Sequence, residues 1–273
     1  MFELNDSPNQ MVSADGFQNL IMPFAKMLMV WLLIMLTAPI DTSYGADSPS
    51  TTAASRLHGL INLADDAVAN IPVKLPNGPS LPPLFVLLHG AGQTPEYMIS
   101  RFVEDADKVG AVLLAPKSRG VTWDIIGMER DAQMMDHIAI GAHYRYATSK
   151  DADRVMSAMA MVSSKVATDP AHQTLLGFSD GASFALALGT ARNRPFTKVV
   201  ALSPGILALA ARTAVKRDVI IMHGRHDHAP SFEFTRSAIV PARRAENLKV
   251  RFIPFDGDHE IAMHLFDVLD GAQ

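Results

Sequence analysis

The sequence contains no cysteine among its 273 residues. This absence excludes disulfides, thiolate metal ligands, a cysteine nucleophile and a lipid-modified cysteine anchor. An excess of positive charge is also missing, because 24 Lys and Arg residues stand against 28 Asp and Glu residues, for a net charge of −4. Nucleic-acid binding depends on a basic surface, so no nucleic-acid partner is expected. Hydrophobic residues, by contrast, make up 48% of the chain, which is enough for a folded domain with a sizeable core.

An uncharged apolar run of 14 residues, 27–40, lies near the N-terminus between Lys26 and Asp41. A helix that spans a bilayer needs about 20 apolar residues, so this run is short for a permanent anchor. It matches the core of a signal peptide, with a base before it and small residues after it. Residues 1–46 are therefore predicted to direct export to the periplasm or the extracellular space. A membrane anchor over residues 27–40 and a buried core helix are the alternatives.

Residues 47–56 are small and polar, and are predicted to link this segment to a single domain over residues 57–273. In that domain, short apolar runs alternate with helical patterns. Several runs are apolar at consecutive positions, as strands covered on both faces must be. The predicted strands are Leu84–Leu88, Ala111–Ala115, Thr174–Gly177, Val199–Leu202, Val219–Met222 and Val250–Ile253. This alternation predicts an α/β fold with a mostly parallel sheet and helices on both faces.

Two of the helical patterns have recognisable ends. Thr94 can cap the first helix, ahead of a proline in its first turn, and Gly110 can end it. Thr148 or Ser149 can cap the second helix, which is expected to stop before Pro170.

The segment 177–181, GFSDG, is a G-x-S-x-G sequence between a predicted strand and a predicted helix, residues 182–191. A serine on so tight a strand-to-helix turn has a strained backbone, and Gly177 and Gly181 let the neighbouring chain pass. Its hydroxyl is exposed, and the next backbone N–H points from a helix N-terminus toward developing negative charge. Ser179 is therefore the predicted nucleophile. The alternative is an ordinary turn at a phosphate site, although no lysine follows Gly181 as in a nucleotide-binding loop.

A serine nucleophile needs a base that is itself oriented by a third group, and here acid and base should each follow a later strand. Asp227 is the only carboxylate in the loop 223–230, directly after a predicted strand. His259 lies in the loop after the last predicted strand. Along the chain, 48 residues separate Ser179 from Asp227 and 32 separate Asp227 from His259, which leaves room for a helix and a strand in each interval. The sequence thus predicts Asp227 as the orienting acid and His259 as the general base.

Neighbouring polar residues admit other roles. His228 and His264 could compete with His259 as the base. Asp256 and Asp258 flank His259 and are expected to be solvated loop charges, either of which could raise its basicity.

A metal site is a further alternative near these loops. The polar cluster after the fifth predicted strand could hold a metal ion; its members are His223, His226, Asp227 and His228. Alternatively, His223 is a hydrogen-bonded structural residue at the end of its strand. His259 and His264 resemble a zinc-binding H-E-x-x-H pair but are one residue further apart, which separates them by about 140° around a helix. No metal and no cofactor is therefore expected.

The segment 87–93, LLHGAGQ, follows the first predicted strand of the domain and precedes a helix. A loop in that position can lend a backbone N–H to the oxyanion that the residue after the nucleophile also binds. Ala91 and Asp180 are the predicted donors, and one such donor contributes roughly 10²–10³ in turnover. A plain glycine turn is the alternative.

The segments LLHGAGQ, GFSDGAS, HGRHD and DGDHE together resemble the α/β-hydrolase superfamily, most closely its small phospholipase/carboxylesterase-like branch, over Leu84–Leu269. The resemblance implies the α/β-hydrolase fold and a serine esterase with the three residues named above as its triad. It also implies that residues 118–124 border the active site. The substrate-binding residues that we expect are Gly90, Gly92, Arg119 and Trp123, although Trp123 fits a core position equally well. Residues 125–147 depart from the family pattern and are a candidate lid.

The predicted function is a carboxylic-ester hydrolase that forms an acyl-enzyme on Ser179. Only about 16 residues, Ser203 to Asp218, separate two of the later strands, so no large cap domain fits and an open cleft is expected. Small-molecule and polymer-linked esters are both candidate substrates. The alternatives are an exported polyester, feruloyl or acetyl-polysaccharide esterase, a serine peptidase of the same fold, and a non-catalytic binding protein. Membrane contact is expected only through residues 27–40, if they are retained.

Overall fold

A computed structural model describes residues 58–75, 80–128, 149–207, 217–246 and 248–261 of the chain. These residues form an eight-stranded sheet. Its strands are β1 (Gly59–Asn62), β2 (Val68–Ile71), β3 (Leu84–Leu88), β4 (Val112–Ala115), β5 (Gln173–Phe178), β6 (Lys198–Leu202), β7 (Asp218–Gly224) and β8 (Lys249–Phe255). Their order across the sheet is β1-β2-β4-β3-β5-β6-β7-β8. Strands β3 to β8 run parallel, while β1 and β2 are antiparallel additions at the β4 edge.

The six predicted strands are confirmed, and the first of them, Leu84–Leu88, has the predicted bounds. All five of its residues are buried, as expected for a strand covered on both faces. Strands β1 and β2 were not predicted. The exposed and half-buried residues of β1 alternate along GLIN, and so short a run gives little periodic signal.

The helices that frame the site are α1 (Pro95–Val109), α2 (Lys150–Ser163) and α3 (Asp180–Thr190). A later helical segment consists of α4 (Phe232–Phe234), a π-helical turn (Thr235–Ile239) and α5 (Val240–Ala245). A 3-10 turn, Ala64–Asp66, connects β1 to β2. Residues 124–128 are also helical.

The ends of α1 follow the predicted signals. The Thr94 hydroxyl accepts the N–H of Tyr97 at 3.3 Å, and Gly110 ends the helix with φ +66°. At the start of α2, the Ser149 hydroxyl accepts the N–H of Ala152 at 3.0 Å. Helix α2 ends at Ser163, before Pro170 as expected.

Buried apolar side chains cover both faces of the sheet. Along β3, Leu84, Val86 and Leu88 belong to one cluster and Phe85 and Leu87 to the other, so the two clusters lie on opposite faces. Residues of α2 and α3 pack into the first cluster, and residues of α1 pack into the second. Helices therefore cover both faces, as predicted.

The parallel register brings several loops to one edge of the sheet. Leu88 pairs with Gly177, Phe178 with Leu202, and Gly224 with Phe255. The loops after β3, β5, β7 and β8 consequently leave the sheet at its carboxyl end, where α/β sheets bind ligands.

The predicted N-terminal segment, residues 1–46, and the predicted linker, residues 47–56, lie outside the described residues. Among the residues that are described, no helix is both long enough and apolar enough to cross a bilayer.

Candidate active site

Ser179 occupies a sharp turn between β5 and α3. Its backbone has φ 56° and ψ −119°, a conformation that a side-chain-bearing residue adopts only under strain. The turn is held from both sides, because the Ser179 N–H donates to the Leu202 carbonyl at 2.9 Å and the Ser179 carbonyl accepts the N–H of Ala182 at 2.9 Å. Such strain is typical of a nucleophile presented at the end of a strand.

The two glycines that flank this turn are required by close backbone approaches. A Cβ added at Gly177 would lie 2.0 Å from the carbonyl oxygen of Gly181. A Cβ added at Gly181 would lie 2.3 Å from the carbonyl oxygen of Leu88 and 2.5 Å from that of His89. The steric reason given for the G-x-S-x-G spacing therefore holds here, and the turn is pressed directly against the loop that follows β3.

That loop contains a β-turn over residues 90–93, in which one backbone N–H makes no hydrogen bond within the described residues. The N–H of Gly90 donates to Gln93 Oε1 at 2.9 Å, that of Gly92 to the Val121 carbonyl at 2.8 Å, and that of Gln93 to the Gly90 carbonyl at 3.1 Å. Within the described residues, the Ala91 N–H makes no hydrogen bond. A Cβ at Gly90 would lie 3.2 Å from the Ser179 Cβ, so the turn adjoins the candidate nucleophile.

Asp180, the second predicted oxyanion donor, is the first residue of α3. Its side chain is mostly buried, and its carboxylate accepts the Thr122 hydroxyl at 2.6 Å. The segment 118–124 thereby contacts the residue after the candidate nucleophile. Sequence reasoning missed this contact, since nothing in the sequence pairs residue 122 with residue 180.

Trp123 lies in the core rather than on a pocket wall. Its side chain is fully buried and stacks on Phe184 of α3, with ring centroids 4.9 Å apart. The indole N–H donates to the His89 carbonyl at 2.8 Å. Trp123 therefore supports the loop 90–93 from the core side. Of the two roles considered for it, a substrate contact and a core position, the structure favours the core position.

His89 is a neutral, buried support of the same loop. Its Nε2 accepts the N–H of Ser118 at 3.1 Å, so Nδ1 carries the proton and donates to the Gly90 carbonyl at 2.8 Å. Burial lowers the pKa of His89 to about 4, and nearby Lys117 acts in the same direction. A charged imidazole is thus disfavoured beneath the site throughout the neutral range.

We expect the protein to lose stability as the pH falls from about 6.5 to about 4. In that interval the unfolded chain binds a proton at His89 that the folded chain excludes, and the cost reaches about 3 kcal/mol by linkage. Burial also lowers the pKa of His223, which acts in the same direction, whereas burial raises the pKa of Asp151, which opposes it. Urea unfolding at pH 7 and pH 4.5 measures the difference.

The matched variants for this pH dependence are His89→Gln and His58→Gln. His58 is exposed, so its replacement should keep the pH dependence of the wild type. His89→Gln should flatten the pH dependence, and an unchanged slope in that variant would show that other groups are responsible.

Arg119 is exposed, and its backbone N–H donates to Asp151 Oδ1 at 3.0 Å. The other oxygen of Asp151 accepts the N–H of Asp124 at 2.8 Å, and Asp124 in turn accepts the Ser149 hydroxyl at 2.7 Å. These contacts join the segment 118–124 to the start of α2. Of the predicted lid, residues 125–147, only 125–128 belong to the described part of the chain.

Asp227 and His259 meet as the order of the loops predicts. His259 Nδ1 lies 2.7 Å from Asp227 Oδ2, and Asp227 Oδ1 accepts the N–H of Ala229 at 3.1 Å. The Asp227 side chain is 1% exposed, whereas that of His259 is 33% exposed. A buried carboxylate that accepts the Nδ1 proton leaves Nε2 with its lone pair, as a general base requires.

The His259 ring also lies beside the residue that precedes Ser179. Its centroid is 4.7 Å from that of the Phe178 ring. No hydrogen bond joins Ser179 to His259 in the described part of the chain, and a catalytic contact between them would require a movement of the ring or of its loop. Catalytic hydrogen bonds are often long without substrate and tighten in the complex.

The His259 loop is fastened to the Asp227 loop by backbone contacts. The His226 N–H donates to the Gly257 carbonyl at 3.1 Å, and the Arg225 N–H donates to the Phe255 carbonyl at 2.9 Å. A Cβ at Gly224 would lie 2.3 Å from the carbonyl oxygens of both Gly257 and Asp258. Asp227 and His259 therefore lie on two loops that these backbone contacts hold together.

Those of the competing residues that the structure describes are exposed. His228 is exposed, and Asp256, with its side chain 91% exposed, pairs with the exposed His226 at 2.9 Å. Asp258 is exposed as well, while His264 lies outside the described residues. Within the described ranges, no group of three or more His, Asp or Glu residues could hold a metal ion.

Two supporting residues were not found from the sequence as parts of the site. The Ser183 hydroxyl accepts the N–H groups of Gly205 and Ile206 at 3.1 and 3.0 Å, which ties the loop after β6 to α3. His223 Nε2 lies 3.1 Å from Asp227 Oδ2, the same oxygen that contacts His259. The sequence marked His223 only as a structural or metal-ligating candidate, because its contact with Asp227 depends on the turn that follows β7.

Comparison with known proteins gives structural likeness at low sequence identity. A carboxylesterase from Mesorhizobium loti superposes with a TM-score of 0.59 at 16% identity, over 79% of this chain and 100% of that one. Esterase PE8 gives 0.55 at 21% identity, over 79% and 96%. FphF, a fluorophosphonate-binding serine hydrolase of Staphylococcus aureus, gives 0.52 at 13% identity, over 78% and 94%. No family model and no curated protein matches the chain. These likenesses establish a shared fold.

Proposed function

We propose that this chain, which has the α/β-hydrolase fold, is a serine hydrolase that cleaves carboxylic esters through an acyl-enzyme. The observation that carries the proposal is the strained backbone of Ser179, packed against a loop with a spare N–H. The pair of Asp227 and His259 on neighbouring loops supports it. The structural neighbours that are named as esterases and serine hydrolases support the same reaction class.

In the proposed mechanism, the Ser179 hydroxyl attacks the ester carbonyl while His259 Nε2 takes its proton. The Ala91 and Asp180 N–H groups stabilise the oxyanion of the tetrahedral intermediate. The alcohol leaves with the proton from His259, and the acyl group stays on Ser179. Water, deprotonated by the same imidazole, then attacks the acyl-enzyme and releases the acid. Asp227 holds the ring in the required tautomer and stabilises the imidazolium.

The role of Ala91 can be tested by removing its N–H alone. Ala91 is the second residue of a turn whose third residue, Gly92, has φ +71°, and proline is favoured at the second position of such a turn. We expect Ala91→Pro to fold and to lower kcat by roughly 10²–10³, with a smaller effect on KM. The measurement is steady-state hydrolysis of a p-nitrophenyl ester.

Ala91→Ser is the comparison variant for this test, because it keeps the N–H and also changes the side chain at the exposed position 91. Its kcat should exceed that of Ala91→Pro by most of the expected factor. Equal activity of the two variants, with both folded, would mean that the Ala91 N–H does not bind the oxyanion.

The substrate class can be tested with p-nitrophenyl esters of increasing acyl length, beside a polyester and a peptide amide. We expect the small esters to be hydrolysed and wild-type protein to be labelled by a fluorophosphonate. Cleavage of polymer or peptide alone would replace the proposed substrate class. Absence of both labelling and turnover would leave a binding protein as the better hypothesis.

Export is proposed as well, on the sequence of residues 1–46 alone. N-terminal sequencing of the protein recovered from its native host tests this proposal. A mature chain that begins after about residue 46 would support a signal peptide. An intact residue 27–40 segment in a membrane fraction would favour an anchor instead.

A further inference from the structure

A second imidazole contacts the carboxylate of the candidate triad. His223, in β7, has a side chain with 0% exposure, and its Nε2 lies 3.1 Å from Asp227 Oδ2. The same oxygen lies 2.7 Å from Nδ1 of His259. Two rings, one from β7 and one from the loop after β8, therefore converge on one oxygen atom of one buried carboxylate.

The protonation of His223 follows from its neighbours. Besides Asp227 Oδ2, its Nε2 faces the Pro230 carbonyl at 3.2 Å, and since both are acceptors the Nε2 must carry a hydrogen. Its Nδ1 is buried and has no hydrogen-bond partner among the described residues. Burial lowers the pKa of His223 more strongly than Asp227 raises it. The ring is thus a neutral donor: its Nε2 is hydrogen-bonded to the Pro230 carbonyl at 3.2 Å and lies 3.1 Å from the carboxylate oxygen.

We propose that His223 is a positioning residue, which fixes the orientation of the Asp227 carboxylate and shares the oxygen that His259 uses. This inference rests on the proposed function only for its effect on turnover. The Ala229 N–H donates to Oδ1, and His223 Nε2 lies 3.1 Å from Oδ2, so each oxygen has a neighbouring donor group besides His259. In this proposal His223 also donates to the shared oxygen, and the bond of that oxygen to His259 is weaker than it would otherwise be.

The shape of the surrounding pocket supports a fixed ring. The Phe232 ring of α4 packs edge-on against His223, with centroids 5.9 Å apart and planes at 81°. Gly205 leaves no room on the far side of Pro230, since a Cβ there would lie 2.5 Å from the Pro230 Cβ. The carbonyl that shares the His223 donor is therefore itself held in position.

The test uses two amides of different reach. Glutamine places its amide nitrogen the same number of bonds from Cα as Nε2 of histidine, whereas asparagine is one bond shorter. We expect His223→Asn to lower kcat about tenfold with little change in KM, and His223→Gln to restore most of that loss. Thermal unfolding checks that both variants are folded.

A spectroscopic measurement on folded protein makes the test independent of hydrolysis. The Nδ1 proton of His259, hydrogen-bonded to Asp227, should give a downfield proton resonance, which a His259→Gln variant assigns. Loss of the competing donor in His223→Asn should strengthen the remaining bond and move this resonance further downfield, while His223→Gln should keep the wild-type position. An unmoved resonance would overturn the positioning role, and so would equal kcat in the two amide variants where the wild type hydrolyses esters. A shifted resonance in a protein without esterase activity would uphold it and reject the proposed function.

Discussion

Replacing Ser179 with alanine is expected to lower kcat for ester hydrolysis by about 10⁴–10⁶ and to abolish labelling by a fluorophosphonate. Losses of this size follow removal of the nucleophile in serine hydrolases, because the remaining base and acid have no group to activate. The fold should persist, since the carbonyl and N–H of residue 179 make its contacts with Leu202 and Ala182. Kinetics with a p-nitrophenyl ester, gel detection of the label and thermal unfolding measure the three expectations.

Ser164→Ala is the matched control, because Ser164 is an exposed serine at the end of α2 and bonds only locally to Met161. It should be labelled and should turn over like the wild type. Equal labelling of wild type and Ser179→Ala would mean that another residue is the nucleophile, and the proposed mechanism would be wrong.

Asp227→Asn carries the second largest expected effect, a fall in kcat of up to about 10⁴. One oxygen of this carboxylate accepts the Ala229 N–H, and the other accepts from His259 Nδ1 at 2.7 Å and lies 3.1 Å from His223 Nε2. An asparagine has one oxygen and one NH₂ group, so either orientation sets a donor against a donor. The His259 ring then loses the partner that fixes its tautomer, and we also expect a lower unfolding temperature.

Asp256→Asn is the corresponding control at a carboxylate that is 91% exposed and paired only with the exposed His226. We expect its kcat to stay within about twofold of the wild type, because exposed ion pairs contribute little. If Asp227→Asn retained near-wild-type turnover in a folded protein, a different acid would have to serve His259.

Strands β3 to β7 of the parallel part of the fold were predictable because they are buried on both faces. A strand such as LFVLL must be apolar at every position, and that signal is strong even over five residues. The antiparallel strand β1 has only alternate residues against the core, and its four residues GLIN carry no pattern that excludes a loop. Its place beside β2 follows from the tertiary structure, which a local pattern does not contain.

Within the candidate site, the predictable parts are those that depend on the main chain. A tight turn at residue 179 requires glycine on both sides, and the order of the loops after β5, β7 and β8 indicates which side chains share an edge. Contacts that depend on where a side chain points and how far it extends were not predictable from the sequence. Trp123 follows a loop at that edge and still points into the core, and Thr122 reaches Asp180 across 58 positions in the sequence.

The backbone conformation at residue 179 also restricts how the proposed enzyme could diversify. Threonine offers a hydroxyl of the same chemistry, but a β-branched side chain is strongly disfavoured at φ 56°. Cysteine has no such branch and fits the same space. Natural homologues that keep this turn should therefore have serine or cysteine at the position of residue 179, and not threonine.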